Sequence, residues 1–293
     1  MKELEGRVAV VTGAGGGLGK AMGRRFAQEG MRVVLADVQA PLLAATQDEL
    51  RADGFDVRGV VTDVTSFDSV RALRDRTLEL FGAVHVVCNN AGIGAGAEGR
   101  MWEHEMNDWR WAIAVNVMGV VHGISAFVPV MLQQGDEGHV VNTSSGNGGV
   151  SPLPSTPQYA ATKAAVVTIT ECLYGQLQEV GARIGASVLF PGPHMLRTGL
   201  FESWRSRTDE FAKERPRVTP YTTVDQIEAQ MAAAGIAIAY TAVEEVAERV
   251  VAGIRANQFW IQPESERTDL QIQARSASML QRANPTYLRA VPG

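Results

Sequence analysis

The sequence predicts a doubly wound α/β fold: a parallel sheet of about seven strands, helices on both faces, and a lid over the substrate after the sixth strand. Three observations predict it. Short β-branched runs alternate with amphipathic stretches through the first two-thirds of the chain. A glycine stands where each amphipathic stretch should stop, and a glycine-rich turn follows the first apolar run. Strand–helix–strand alternation forces parallel pairing with right-handed crossovers.

The runs Val8-Ala9-Val10-Val11, Val33-Val34-Leu35-Ala36, 57–61, Val84-His85-Val86-Val87, His139-Val140-Val141 and Ala186-Ser187-Val188-Leu189-Phe190 read as buried strands, being nearly continuous in apolar character. Between them the apolar spacing predicts helices over 18–29, 41–52, 66–81, 108–133 and 158–180. Gly30, Gly54, Gly82, Gly135 and Gly181 mark their ends. Pro191-Gly192-Pro193 closes the sixth strand, and a polar, arginine-rich stretch runs on to Tyr221. Helices are expected over 224–234 and 244–256, a last strand at Phe259-Trp260-Ile261, and a largely helical tail. We read 1–293 as a single domain, with a cofactor-binding and catalytic core over 1–193, a lid over 194–240 and a C-terminal extension over 263–293.

Composition narrows the function. At 293 residues, 45% hydrophobic and 20% charged, the chain can bury a large core. A net charge of -5 argues against a nucleic-acid binder, which needs a basic face for phosphates. No apolar run approaches the roughly 20 residues of a bilayer span, so no membrane partner is expected. The first seven residues carry charges where a signal peptide is apolar. Cys88 and Cys172 have neither pairing nor metal-ligand spacing, which predicts no metal and a reducing, cytoplasmic setting. Of 27 basic residues only Lys2, Lys20, Lys163 and Lys213 are lysines, so the place of each lysine is informative.

The turn Thr12-Gly13-Ala14-Gly15-Gly16-Gly17-Leu18-Gly19 lies between the first strand and helix, where such folds bind a dinucleotide. Glycines let the backbone approach a pyrophosphate, and the helix N-terminus offers free N–H groups. The spacing G-x-x-x-G-x-G fits Gly13, Gly17 and Gly19, with Gly15 and Leu18 between; no Gly-Lys-Ser/Thr follows, which excludes a P-loop. Asp37 stands 18 residues past Gly19, where a carboxylate accepts from the adenosine ribose hydroxyls and repels a 2′-phosphate. NAD is therefore expected over NADP. Asp63-Val64, after the third strand, is placed to meet the adenine edge.

Tyr159 and Lys163 are four apart at the start of a predicted helix and share a face. A neighbouring ammonium is expected to lower the phenol pKa from its usual ~10, making it a general acid or base. Asn142-Thr143-Ser144-Ser145 follows the fifth strand at the carboxyl edge of the sheet, where a serine hydroxyl can polarise a substrate carbonyl. No G-x-S-x-G surrounds these serines, against hydrolase chemistry.

In order along the chain, Thr12-Gly13-x-x-x-Gly17-x-Gly19, Asp63, Asn89-Asn90-Ala91-Gly92, Asn116, Ser145, Tyr159-x-x-x-Lys163 and Pro191-Gly192 resemble the short-chain dehydrogenase/reductase family, non-extended branch. The resemblance implies a Rossmann-type core and a nicotinamide cofactor. It implies that Tyr159 exchanges a proton with the substrate oxygen, Lys163 assists it and binds the nicotinamide ribose, Ser145 orients the oxygen, and Asn116 supports a water-linked relay through Lys163. Asn90, Ala91, Gly92, Pro191 and Gly192 would lie beside the cofactor. Pairing into a homodimer or homotetramer through the two long helices is implied likewise.

The sequence departs from the family pattern in places. Ser145 precedes Tyr159 by fourteen residues, one more than is common, and Gly146 onward reads as an enlarged loop at the substrate mouth. Ser145, the second of its pair, is preferred over Ser144. Leu196 occupies a position where the family often has a threonine on the nicotinamide amide; either the loop is longer and Thr198 takes that contact, or the contact is lost. Pro152, Met195, Leu196, Leu200 and Trp204 are candidates for a mainly apolar substrate pocket. The tail from Phe259 resembles dehydrogenases of lignin-derived aryl ethers and some hydroxysteroid dehydrogenases. The activity expected is hydride transfer between NAD(H) and a bulky, apolar or aromatic secondary alcohol or ketone. The competing reading is a non-catalytic NAD(H)-binding sensor on the same fold.

Overall fold

In the computed structural model, which describes residues 1–94, 100–215, 223–235 and 237–289, seven parallel strands run in the order β3-β2-β1-β4-β5-β6-β7. They are β1 Val8–Thr12, β2 Arg32–Asp37, β3 Val57–Val61, β4 Val86–Asn89, β5 Gly138–Thr143, β6 Ile184–Leu189 and β7 Trp260–Ile261. The helices are α1 Gly17–Gln28, α2 Ala40–Ala52, α3 Phe67–Phe81, α4 Met106–Ile113, α5 Gly119–Gln134, α6 Pro157–Glu179, α7 Val224–Ala233, α8 Val243–Ala256 and α9 Glu266–Gln281. Parts of the expected lid and tail, 216–222, 236 and 290–293, lie outside the described residues.

The period-two alternation of side chains sends each strand's residues to both faces. Ala9, Val11, Val33, Leu35, Val86, Cys88 and Val141 pack on one face with α1, α2 and α8, through residues such as Met22, Phe26, Leu50, Val250 and Ile254. Val10, Val34, Ala36, Val87 and Val140 pack on the other with α3, α5 and α6, through Leu73, Phe127, Met131 and Leu173. Each fully buried Val or Leu contributes about 1.5–3 kcal/mol by leaving water. Burial on both faces is why these runs lack polar alternation. The sheet order reverses beside β1, between β1 and β4, and the carboxyl ends of the strands open there.

All five predicted stop glycines have positive φ, from +63° to +88°, the left-handed region that favours glycine. The fourth strand begins two residues later than its apolar run. Val84 is buried, but its backbone is paired with the Gln134 side chain, at 3.0 Å through N–H and 2.8 Å through C=O, and so is withdrawn from the ladder. The expected helix over 108–133 is interrupted by a π-helical turn, Ala114–Met118, in which Gly119 N–H bonds back to Ala114 O.

The continuous run Met106–Gln134, 29 residues, is long and apolar enough to cross a membrane by length and composition. This corrects the expectation that no apolar run approaches that length. The run owes its character to its buried face: Trp111, Ala112, Val120, Ala126, Phe127 and Met131 are all buried in the fold. By contrast α9 has no buried residue.

Candidate active site

A single cavity of about 1260 Å³ at the carboxyl ends of the strands joins the glycine-rich turn to the segment after β6. Gly13, Gly15, Gly17, Leu18, Gly19, Asp37, Asp63, Val64, Asn90, Ala91 and Gly92 line one part of it. Ser145, Tyr159, Lys163, Pro191, Gly192, Met195, Leu196, Thr198, Leu200 and Trp204 line the rest. The structure thus gathers nearly all predicted site residues. Two lie elsewhere. Asn116 is behind the wall, and Pro152 does not line the cavity although Ser151 and Leu153 on either side of it do.

The turn is shaped as a dinucleotide cradle. A Cβ on Gly13 would sit 2.8 Å from Ala91 Cα, and one on Gly19 would strike the Gly13 carbonyl. A Cβ on Gly16, in contrast, would meet nothing within 4 Å. Gly16 caps α1 without a side-chain hydrogen bond, and the first turn holds no acidic residue. The first N–H groups of α1 are left for an anion. Asp37 accepts from Gly15 N–H and Gln39 N–H, each at 2.9 Å, which fixes its carboxylate beside the turn. Asp63 Oδ1 accepts from Thr65 N–H and Oγ1 at 2.9 and 2.7 Å. These residues fit an adenine dinucleotide: the turn for the pyrophosphate, Asp37 for the ribose, Asp63 and Val64 for the adenine.

Asn90 ties the sheet edge together. Its Nδ2 donates to Thr12 O at 3.0 Å, and its N–H and that of Ala91 both donate to Thr12 Oγ1 at 3.0 Å. Lys163, 3% exposed, donates from Nζ to Thr143 O at 2.9 Å. A Cβ on Gly92 would lie 3.3 Å from both Lys163 Nζ and Asn116 Oδ1, so glycine there makes room for the ammonium. The two serines divide their labour. Ser144 Oγ donates to Lys163 O at 2.7 Å and is spent on holding α6 to β5. Ser145 hydrogen-bonds the Tyr159 hydroxyl and accepts from Asn147 N–H at 3.2 Å. The geometry therefore favours Ser145 as the substrate-facing serine.

The electrostatics differ from expectation. Burial lowers Lys163 to about 8. Burial also pushes the Tyr159 phenol above its usual value, and the Ser145 hydrogen bond opposes this. The expected lowering by Lys163 is absent, for its Nζ is 5.7 Å from the Tyr159 ring centre and bonds the Thr143 carbonyl instead. Desolvation outweighs that more distant charge.

Asn116 anchors the loop after β4. Its Oδ1 accepts from Ile93 N–H at 2.8 Å, while Nδ2 donates to Ile93 O at 3.0 Å and Thr162 Oγ1 at 3.1 Å. Both ends of the amide are engaged, so this side chain ties the loop after β4 to the π-turn and to α6.

The segment after β6 folds back over the cavity. Thr198 packs its Cβ and Cγ2 3.1 Å from where a Gly17 Cβ would stand, and Gly94 N–H donates to Ser203 Oγ at 3.2 Å. Thr198 therefore sits against the phosphate turn, while Leu196 packs on the core. Sequence reasoning missed four contributors. Arg249 of α8 donates from Nη2 to Pro191 O and Gly192 O at 3.0 and 2.9 Å. Arg275 of α9 bonds the Gly146–Val150 turn that follows Ser145, closest at Val150 O, 2.8 Å. Arg207 and Lys213 also line the cavity. Only the scarcity of lysine pointed to any of them.

A family model for short chain dehydrogenases matches residues 7–209. The chain belongs to the short-chain dehydrogenase/reductase family. A short-chain dehydrogenase/reductase from Burkholderia phymatum, solved in complex with NAD, is 40% identical over 98% of both chains with a TM-score of 0.87. The 1-deoxy-11-beta-hydroxypentalenate dehydrogenase of Streptomyces avermitilis is 38% identical over 189 residues, 64% of this chain and 69% of that protein. The apo form of LigO from Sphingobium sp. strain SYK-6 is 26% identical over the whole of both chains, with a TM-score of 0.73. The chain is thus a Rossmann-fold oxidoreductase of this family.

Proposed function

We propose that the protein is an NAD(H)-dependent alcohol dehydrogenase or ketone reductase that acts on a bulky, largely apolar secondary alcohol or its ketone. The observation that carries this reading is that Ser145, Tyr159 and Lys163 share one cavity with the glycine-rich turn and Asp37. The nicotinamide, when bound, supplies the hydride acceptor or donor. Lys163 and the Pro191-Gly192 backbone would hold its end of the dinucleotide, with Thr198 beside the pyrophosphate at Gly17. In ketone reduction the Tyr159 phenol gives its proton to the carbonyl oxygen, and in alcohol oxidation the Tyr159 phenolate takes the hydroxyl proton. Ser145 Oγ, already on the Tyr159 hydroxyl, orients the same oxygen. Lys163 places a positive charge behind the tyrosine, which favours the phenolate that is the base in oxidation and is left after proton donation in reduction.

Asp37 supports NAD over NADP, because its carboxylate faces the cavity where a 2′-phosphate would bring like charge. The NAD complex of the Burkholderia phymatum relative is consistent with this. The name of the Streptomyces relative, a dehydrogenase of a hydroxy compound, supports the alcohol. Assembly into a homodimer or homotetramer through α5 and α6 is part of the proposal, supported by Leu132 and Tyr174 left exposed on them, 42% and 37%.

The test is turnover of NAD with a panel of cyclic and aromatic secondary alcohols, read as NADH absorbance. Activity on apolar alcohols, lost in Tyr159→Phe, is the expected result. Activity on sugars alone overturns the apolar-pocket reading. A Tyr159→Phe protein with unchanged turnover overturns the catalytic assignment.

A further inference from the structure

The substrate end of the cavity carries charge that an apolar pocket does not need. Arg207 and Lys213 both line it. Both pair with one carboxylate: Arg207 Nη1 and Lys213 Nζ each lie 2.7 Å from an oxygen of Asp108 on α4. Asp108 is 2% exposed. The neighbouring buried acid, Glu105, is already matched by the Arg215 guanidinium and by the backbone N–H groups of Glu214 and Arg215. Glu202 and Arg205, also on the cavity wall, neutralise each other at 2.8 Å. Among the described residues of this cluster one positive charge is therefore in excess, at a site where unpaired charge is costly.

The orphan can be located. The Arg207 side chain is 8% exposed. Its Nε donates to Phe211 O at 2.5 Å and Nη1 to Asp108, while Nη2 is buried with no acceptor among the described residues. The guanidinium lies 5.0 Å over the Trp111 ring, itself part of the cavity wall. Lysine choice adds weight: the chain has four lysines, and two of them, Lys163 and Lys213, line this cavity.

We propose that Arg207 and Lys213 form a carboxylate-binding subsite, so that the substrate is a hydroxy or keto acid with an apolar skeleton between the reacting carbon and the carboxylate. This rests on the alcohol dehydrogenase reading and narrows its substrate class. Arginine offers paired N–H donors and lysine a compact charge, both suited to a carboxylate. Trp111, Val115 and Leu200 on the same wall suit the apolar part.

The test uses the whole protein with NAD and matched pairs of cyclic hydroxy acids and their methyl esters. The wild type is expected to favour the acid by about tenfold in kcat/KM, chiefly through KM, corresponding to about 1.4 kcal/mol. Lys213→Gln is expected to bring the ratio towards one and Lys213→Arg to keep it. Lys213 is partly exposed, so these variants test charge without opening the core. Equal turnover of acid and ester by the wild type, or an unchanged ratio in Lys213→Gln, overturns the subsite and leaves the dehydrogenase reading standing. No hydride transfer to NAD from either member of any pair, nor from the wider panel of alcohols, overturns both.

Discussion

Arg275, near the end of the chain, donates from Nη1 to the carbonyl of Val150 at 2.8 Å. Through this bond a helix with no buried residue steadies the turn that carries the backbone away from Ser145. A charged donor to a carbonyl contributes about 1.5–3 kcal/mol. Arg275→Met is therefore expected to lower kcat/KM by about tenfold and to lower the unfolding free energy by no more than that contribution. Steady-state kinetics beside a urea titration check both parts.

Tyr159→Phe removes the proton-transferring hydroxyl and keeps the ring. A loss of about 10²–10⁴-fold in kcat is expected, the usual reach of general acid–base catalysis. NADH binding, followed by fluorescence, should stay within about twofold, because the glycine-rich turn and Asp37 are untouched.

Lys163 has a folded-state pKa of about 8 against 10.5 when solvated, because burial disfavours its charge. Below pH 8 the folded state carries the penalty of a buried ammonium. Between pH 8 and 10.5 the unfolded state binds the proton more tightly, so this group's contribution to stability rises with pH. The full effect is roughly 3 kcal/mol from the size of the shift. Denaturant titrations should show the wild type gaining stability relative to Lys163→Met across that window. A constant difference between the two proteins would contradict the assignment.

Asp37→Ser removes the charge near the ribose site but keeps a hydroxyl. The wild type should bind NADH at least about tenfold more tightly than NADPH, and the variant should narrow that ratio by relieving like-charge repulsion. Since Asp37 also accepts from Gly15 N–H, some loss of NADH affinity is expected too. Isothermal titration with both dinucleotides measures this.

Asn116→Ala leaves Ile93 N–H and C=O without the amide that satisfies both. Stranding these buried groups costs about 1–3 kcal/mol each. The variant should be destabilised by several kcal/mol in urea unfolding.

The sheet was legible in the sequence because a strand buried on both faces must be apolar along its whole length, as in Val8 to Val11. The helix ends were legible because Gly30, Gly54, Gly82, Gly135 and Gly181 supply a backbone conformation other residues avoid. The Tyr159 and Lys163 pair was legible because a helix places residues four apart on one face. What escaped is what depends on contacts distant in the chain. Arg275 lies 125 residues from Val150, and Arg207 lies 99 from Asp108. Nothing local in an arginine's neighbourhood announces such a partner. The Tyr159 pKa escaped for a related reason: spacing predicts a nearby ammonium, whereas burial, which wins here, belongs to the assembled fold.

The exposure of α9 has a kinetic consequence. Thr268 and Gln271 of this helix line the cavity opposite a floor made of fully buried strands. Backbone amides open with free energies that follow local burial, from near zero at exposed ends to the global value in the core. The two walls of one site should then differ by orders of magnitude in hydrogen-exchange protection.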